Sequence, residues 1–213
     1  MGRGHAHGRL TWGEPAPGFV QRLAARLKSA FGASRSTSRA GLSELPLSLW
    51  RAELATPYLE AERATDHRRA GAAAVVAMER AVVEQNWWPA DVWGHRALWH
   101  FEQAGMTLQA TRQARRIGDM RFAAGDPDGA RRYYAEAIDE ARDIGAEHEQ
   151  GLAALGLGHA LLQLGDVTGA RRLAGASETL LDRAGAPAAE VEDARRLRGT
   201  EIAVTGKGTE DNA

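Results

Sequence analysis

The stretch GDPDGARRYYAEAIDEARDIGA, residues 125 to 146, returns as GDVTGARRLAGASETLLDRAGA at residues 165 to 186, and this pair decides the fold. The offset is 40 residues, and it aligns Gly125, Asp126, Gly129, Ala130, Arg131, Arg132, Gly145 and Ala146 with Gly165, Asp166, Gly169, Ala170, Arg171, Arg172, Gly185 and Ala186. Punctuation repeats along with composition. A fixed period in this range marks stacked supersecondary units, each too small to bury its apolar face alone.

Outward from the pair, Gln85 and Asn86 stand one period before Gly125 and Asp126, Gly105 stands one period before Gly145, and Ala114, Ala154 and Ala194 keep the same spacing. A third, degenerate unit therefore precedes the two clear ones. The expected helices alternate as A over about 66–85, B over 89–104, A over 107–124, B over 127–144, A over 147–164, B over 167–184, and a last helix over 187–204. Asp126 suits an N-cap and Pro127 a first helical position, while Gly105, Gly145 and Gly185 suit the left-handed residue that ends a helix. Residues 45–85 read as helical with a break at Thr56 and Pro57, where Thr56 would cap and Pro57 would begin a second helix. A strict coiled-coil heptad does not persist past the Gly-Asp punctuation.

These units resemble tetratricopeptide repeats, in which helix A carries a small residue, the turn reads Gly-Asp and helix B carries alanines. Ile117 and Gly118, Gly125 and Asp126, then Ala130, Tyr134 and Ala137 match in one unit; Leu157 and Gly158, Gly165 and Asp166, and Ala170 match in the next, where Ala174 and Ser177 depart from the pattern. The period exceeds the usual figure of about 34 and is similar to the longer repeats of large bacterial transcriptional regulators and signalling proteins. The resemblance implies an all-α, right-handed helical-hairpin solenoid over residues 44–205, with Gly118 and Gly158 letting helices approach closely. It also implies a protein or peptide partner in a concave groove lined by the A helices. Carried over by position, the groove is Glu79, Val82 and Val83; Arg112, Arg115, Asp119 and Phe122; and Leu155, His159 and Gln163. Arg112, Arg115 and Arg116 form a cationic cluster suited to an acidic peptide segment; the alternative is a solvated face balanced by nearby acids.

Four of the six tryptophans fall within NWWPADVWGHRALWHFEQ, residues 86–103. Trp88, Trp93 and Trp99 are candidates for an aromatic interface, although the simpler expectation is that the tryptophans join the degenerate unit to the helices before it. His95 and His100 are five apart, which is not the spacing of a two-histidine zinc helix, and no metal site is expected.

The chain has no cysteine, which removes disulfides, thiolate catalysis and cysteine-based zinc sites. Net charge is −1, but residues 1–43 hold seven cations against Glu14, so this +6 segment leaves −7 on the rest. Such a body would repel phosphate, and no nucleic-acid partner is expected. Residues 1–17 read as a disordered tail and 206–213 as a disordered end. Between them, Phe19, Val20, Leu23, Leu27 and Phe31 share one arc of a short helix whose other arc holds Arg22, Arg26 and Lys28. Phe19, Leu23, Leu27 and Phe31 would dock on protein, or on an anionic membrane surface, with protein favoured because three cations make a weak lone anchor. No apolar region of the secretory kind opens the chain, so the cytoplasm is the expected location.

Enzyme motifs are missing. GxSxG, GxxxxGKS, GxGxxG and HExxH are absent, and the glycine-rich Gly156, Leu157, Gly158, His159 run lies within an expected helix, not after a strand. Pairs such as Glu190 with Asp193, or Glu136 with Asp139 and Glu140, are expected to be solvated. The sequence thus points to a non-catalytic adaptor or scaffold without a cofactor. The alternative is a small-molecule or peptide sensor domain of a bacterial regulatory system; a weaker third reading is an accessory protein working through the Trp/His face.

Overall fold

The computed structural model describes residues 52–200, and within them the chain is all helical. The helices are α1 (Ala52–Arg63), α2 (His67–Val83), α3 (Trp87–Gln103), α4 (Thr107–Ala123), α5 (Pro127–Asp143), α6 (Glu147–Gln163), α7 (Val167–Arg183) and α8 (Ala188–Arg198). The amphipathic stretch Phe19–Phe31, with Leu23 and Leu27, lies outside the described residues, as do the two terminal tails.

Six successive helices, α2 to α7, are 17 residues long and begin 20 residues apart. The 40-residue period of the sequence is therefore two equal geometric steps. Each connection places one residue at positive φ: Thr65 (57°), Gln85 (55°), Gly105 (65°), Gly125 (78°), Gly145 (68°), Gly165 (88°) and Gly185 (65°). The same carbonyls are satisfied every time. Asp126 N–H donates to the Arg121 carbonyl at 2.9 Å and Gly125 N–H to that of Phe122 at 3.0 Å, and Asn86 N–H reaches Ala81 at 2.8 Å. Asp66, Asp126 and Asp166 then cap the next helix, accepting from the backbone of Arg69, Gly129 and Gly169 at 3.0, 2.8 and 2.8 Å.

The expected break at Thr56 and Pro57 is not there: α1 runs through Pro57, and the chain turns at Thr65 instead. Both residues are exposed, and Pro57 lies inside α1 as its sixth residue, where it forgoes one hydrogen bond of the helix without ending it. Other boundaries fall within two residues of expectation, except that the last helix ends at Arg198, not near 204.

Each helix packs on the next, and α4 also touches α6, as α6 touches α8, so the A helices share one face of a helical-hairpin solenoid. Columns of alanine let them meet. Ala74, Ala114, Ala154 and Ala194 on A, and Ala90, Ala130 and Ala170 on B, are at most 4% exposed. Where a large side chain enters, glycine faces it. A Cβ on Gly71 would lie 2.8 Å from Phe101, and one on Gly151 the same distance from Leu181. The pairing can also reverse. Met78 on A stands against Gly94 on B, whereas one unit later Gly118 on A stands against Tyr134 on B. Volume is conserved across the seam while the bulky partner changes sides. Tyr134 is clasped from a second direction too, since a Cβ on Gly156 would fall 2.4 Å from its ring. Gly158, by contrast, faces Leu197 of α8 and the Ala170 carbonyl.

Candidate functional site

The A face brings together most of the residues expected in the groove, but it does not leave their charges open. Arg112 Nε donates to Glu149 Oε1 at 2.8 Å and Arg115 Nε to Glu149 Oε2 at 3.2 Å, joining α4 to α6. Burial alone would push the Glu149 carboxyl up, but the two guanidiniums outweigh it and hold the group below its ordinary range. Arg115 also reaches Asp119 at 2.7 Å, Tyr134 donates to Asp119 at 2.9 Å, and Arg116 reaches back to Glu79 of α2 at 2.9 Å. Three cations thus meet three acids, and the cluster read from the sequence as a cationic patch is neutralised in place. Arg112 remains half exposed, engaging Glu149 through Nε.

Phe122 packs near His159, with ring centroids 6.5 Å apart, and Gln163 and Val83 are exposed while Val82 is half-buried. Leu155 does not line the face. It is 7% exposed, in a core cluster with Leu181, Val191 and Leu197, because its side of α6 turns toward α7 and α8. His148 meets Glu190 of α8 at 2.7 Å and His159 meets Asp193 at 3.5 Å, so the acids expected to be solvated here serve as partners between A helices.

The tryptophans divide. Trp88 is 49% exposed, Trp99 is half-buried, and Trp93 is 4% exposed, packed edge-on against Tyr58 of α1 at 5.1 Å, which takes it away from any outer interface. Around Trp93 lies a polar network that sequence reasoning did not assemble. His67 Nδ1 and His100 Nδ1 are 3.0 Å apart, His100 Nε2 and Tyr58 Oη are 3.0 Å apart, and Tyr58 donates to Glu62 at 3.1 Å. With the Tyr58 proton on Glu62, only one assignment satisfies the rest: His67 Nδ1–H donates to His100 Nδ1, and His100 Nε2–H donates to Tyr58 Oη. The chain of donors runs one way, from α2 through α3 to α1. Burial, then the neighbouring His67 and Arg96, hold His100 down to about 4, so it stays neutral. The guanidinium of Arg96, itself buried, lies 5.3 Å from the ring centres of both Tyr58 and Trp93.

A second set links α3 to α4 and α5. His95 Nδ1–H donates to the Asp91 carbonyl at 2.7 Å, leaving Nε2 to accept from Tyr133 Oη at 2.7 Å. Arg121 bonds Asp91 at 2.6 Å and Asp126 at 3.1 Å. Glu102 is pushed up to about 8 by burial and by Glu140 and Glu136. The expectation that Glu136 and Glu140 are solvated is corrected: both are half-buried and face another acid. The sequence did carry a signal for these groups. His100 and Glu140 hold the register that Leu180 holds later, and a polar residue at an apolar position of a repeat asks for a partner. Among the described residues no cluster of three or more metal-binding side chains forms, and no helix is long and apolar enough to cross a membrane.

The sequence matches no family model and no curated relative. Among solved structures, the fold is similar to that of BtubC (BKLC) from P. vanneervenii, with a TM-score of 0.59 and 18% identity. The similarity spans 71% of this chain and 63% of the other. A likeness at this identity speaks for the fold alone.

Proposed function

We propose that the chain is a non-catalytic, cytoplasmic adaptor of the tetratricopeptide type, which binds a protein or peptide segment along the face of its A helices. The observation that carries this reading is the surface left over on that face. After the ion pairs and the core have taken their residues, Val83 is 77% exposed, and Phe122, His159 and Gln163 stay at least partly open, in a row across α2, α4 and α6. Half-exposed apolar and aromatic groups held on rigid helices suit a peptide that contributes its own apolar side chains. Arg112, about 15 Å from Phe122 along α4, adds a cation on the same face that a carboxylate of the peptide can share with Glu149.

The test is site-specific photo-crosslinking in cells, with the crosslinker at position 122 on the A face or at position 132 on the B face. Discrete adducts at 122 that are missing at 132 are expected. Adducts of equal yield at both positions, or none at 122, would remove the adaptor reading.

A further inference from the structure

The A helices α2, α4 and α6 repeat one register, but their outward positions differ. Where α4 carries Arg112, Arg115 and Arg116, α2 carries Ala72, Val75 and Val76, and where α6 carries Gln163, α2 carries Val83. At 100° per residue Ala72, Val83 and Val76 span only about 40° of arc, so they form one narrow stripe. The stripe is open. Val76 is 56% and Val83 77% exposed, the highest values of any large hydrophobic side chain described, and Ala72 is exposed between the ion-paired Glu79 and the start of the helix. Small side chains along a stripe allow a second helix to approach closely. Cations flank its N-terminal end. Arg68 and Arg69 are exposed and their guanidiniums form no ion pair among the described residues, whereas Glu79 is bonded to Arg116 and Arg80 to Glu84 at 2.6 Å. The unsatisfied charge along this strip is therefore positive.

We infer that the stripe of α2 is the docking strip for an amphipathic helix of a partner protein, one that presents a single apolar row bordered by acidic residues. The apolar row lies on Ala72, Val76 and Val83, and the acids reach Arg68 and Arg69. The inference rests on the adaptor reading and names its partner class; it places the principal contact on α2, not on the Arg112 cluster of α4.

The test is selection of a random 20-residue peptide library on the full chain, followed by binding of the selected clones to variants. Val76→Asp and the pair Arg68→Glu with Arg69→Glu are at exposed positions, and circular dichroism checks that each variant is folded. Clones with helical apolar periodicity and net negative charge are expected, losing at least tenfold in affinity with either change and little with Arg112→Ala. Clones that lose binding with Arg112→Ala but not with Val76→Asp would overturn this inference and leave the adaptor reading standing. Clones that are basic or lack helical periodicity, or an empty selection, would also overturn it. Sedimentation of the chain alone supplies the remaining arm: dimerisation abolished by Val76→Asp would give the strip to a second copy and sink the partner helix.

Discussion

The front and rear of the solenoid follow one backbone plan with opposite interiors. In α1 to α3 the buried set includes Tyr58, Trp93, His95, Arg96 and His100, so its polar atoms must find partners in fixed directions. In α6 to α8 the buried set is largely alanine and leucine, with two polar members: Glu149, held from α4 by Arg112 and Arg115, and Ser177, which donates to the Gly151 carbonyl at 2.8 Å. The rear is specified by shape and the front by hydrogen-bond geometry. Shape tolerates substitution within a volume, whereas a one-way chain of donors tolerates almost none.

The largest test of this contrast is overpacking where two seams share one ring. Gly156→Leu drives atoms into Tyr134, which cannot retreat because Gly118 backs it, and should cost about 3 kcal/mol. Gly158→Leu meets the flexible end of Leu197 and should cost less, about 1 to 3 kcal/mol. Thermal unfolding that ranks them the other way would show that the clasp on Tyr134 is not rigid.

In the front, Tyr58→Phe keeps the volume and removes only the hydroxyl, which leaves His100 Nε2–H without its acceptor. Denaturant unfolding should show a loss of about 1 to 3 kcal/mol. A loss near zero would mean that the ring, not the relay, holds α1.

The pH dependence separates two front-end groups. His100 is held at about 4, below its ordinary 6.5, so the stability it contributes is intact above pH 6.5 and is lost as pH falls toward 4. Glu102 is held at about 8, above its ordinary 4.5, so its contribution is intact below pH 4.5 and is lost as pH rises toward 8. Glu102→Gln should therefore stabilise the protein at pH 8 relative to pH 6, by about 1 kcal/mol after allowing for solvent screening. Parallel unfolding curves for the variant and the native chain at both pH values would place the Glu102 carboxyl in water.

The smallest expected effect is at a connection. Gln85 holds a left-handed conformation that glycine supplies in every later turn, so Gln85→Gly should raise stability by up to about 1 kcal/mol. The same change at Ala124, a C-cap with helical backbone angles, should lower it.

Much of the fold was legible because glycine and aspartate are forced where the chain reverses. Gly105, Gly125, Gly145, Gly165 and Gly185 stand at the left-handed positions, and Asp126 and Asp166 cap the helices that follow. The equal 20-residue steps were harder to see, because Thr65 and Gln85 make the same turn without glycine. The site was less legible. Position within a repeat told which residues share the A face, but the partner of a charge lies one unit away, as with Arg116 and Glu79 or Arg112 and Glu149, 37 residues apart in both pairs. A period aligns like with like; it does not pair unlike residues. The relay from His67 to Glu62 escaped for the same reason, since its four members come from three helices and occur in one unit only.

The uniform connections give the chain a parity. Because the turns from Gln85 to Gly165 are built alike and spaced by 20 residues, an excision of 40 between equivalent points would return every later helix to the side it occupied. An excision of 20 would close just as well locally, yet it would exchange inside for outside from that point on, carrying the residues of the A face to the opposite wall. Growth and loss in such a chain are therefore quantised by pairs of helices, although nothing in the backbone of any single turn records the difference.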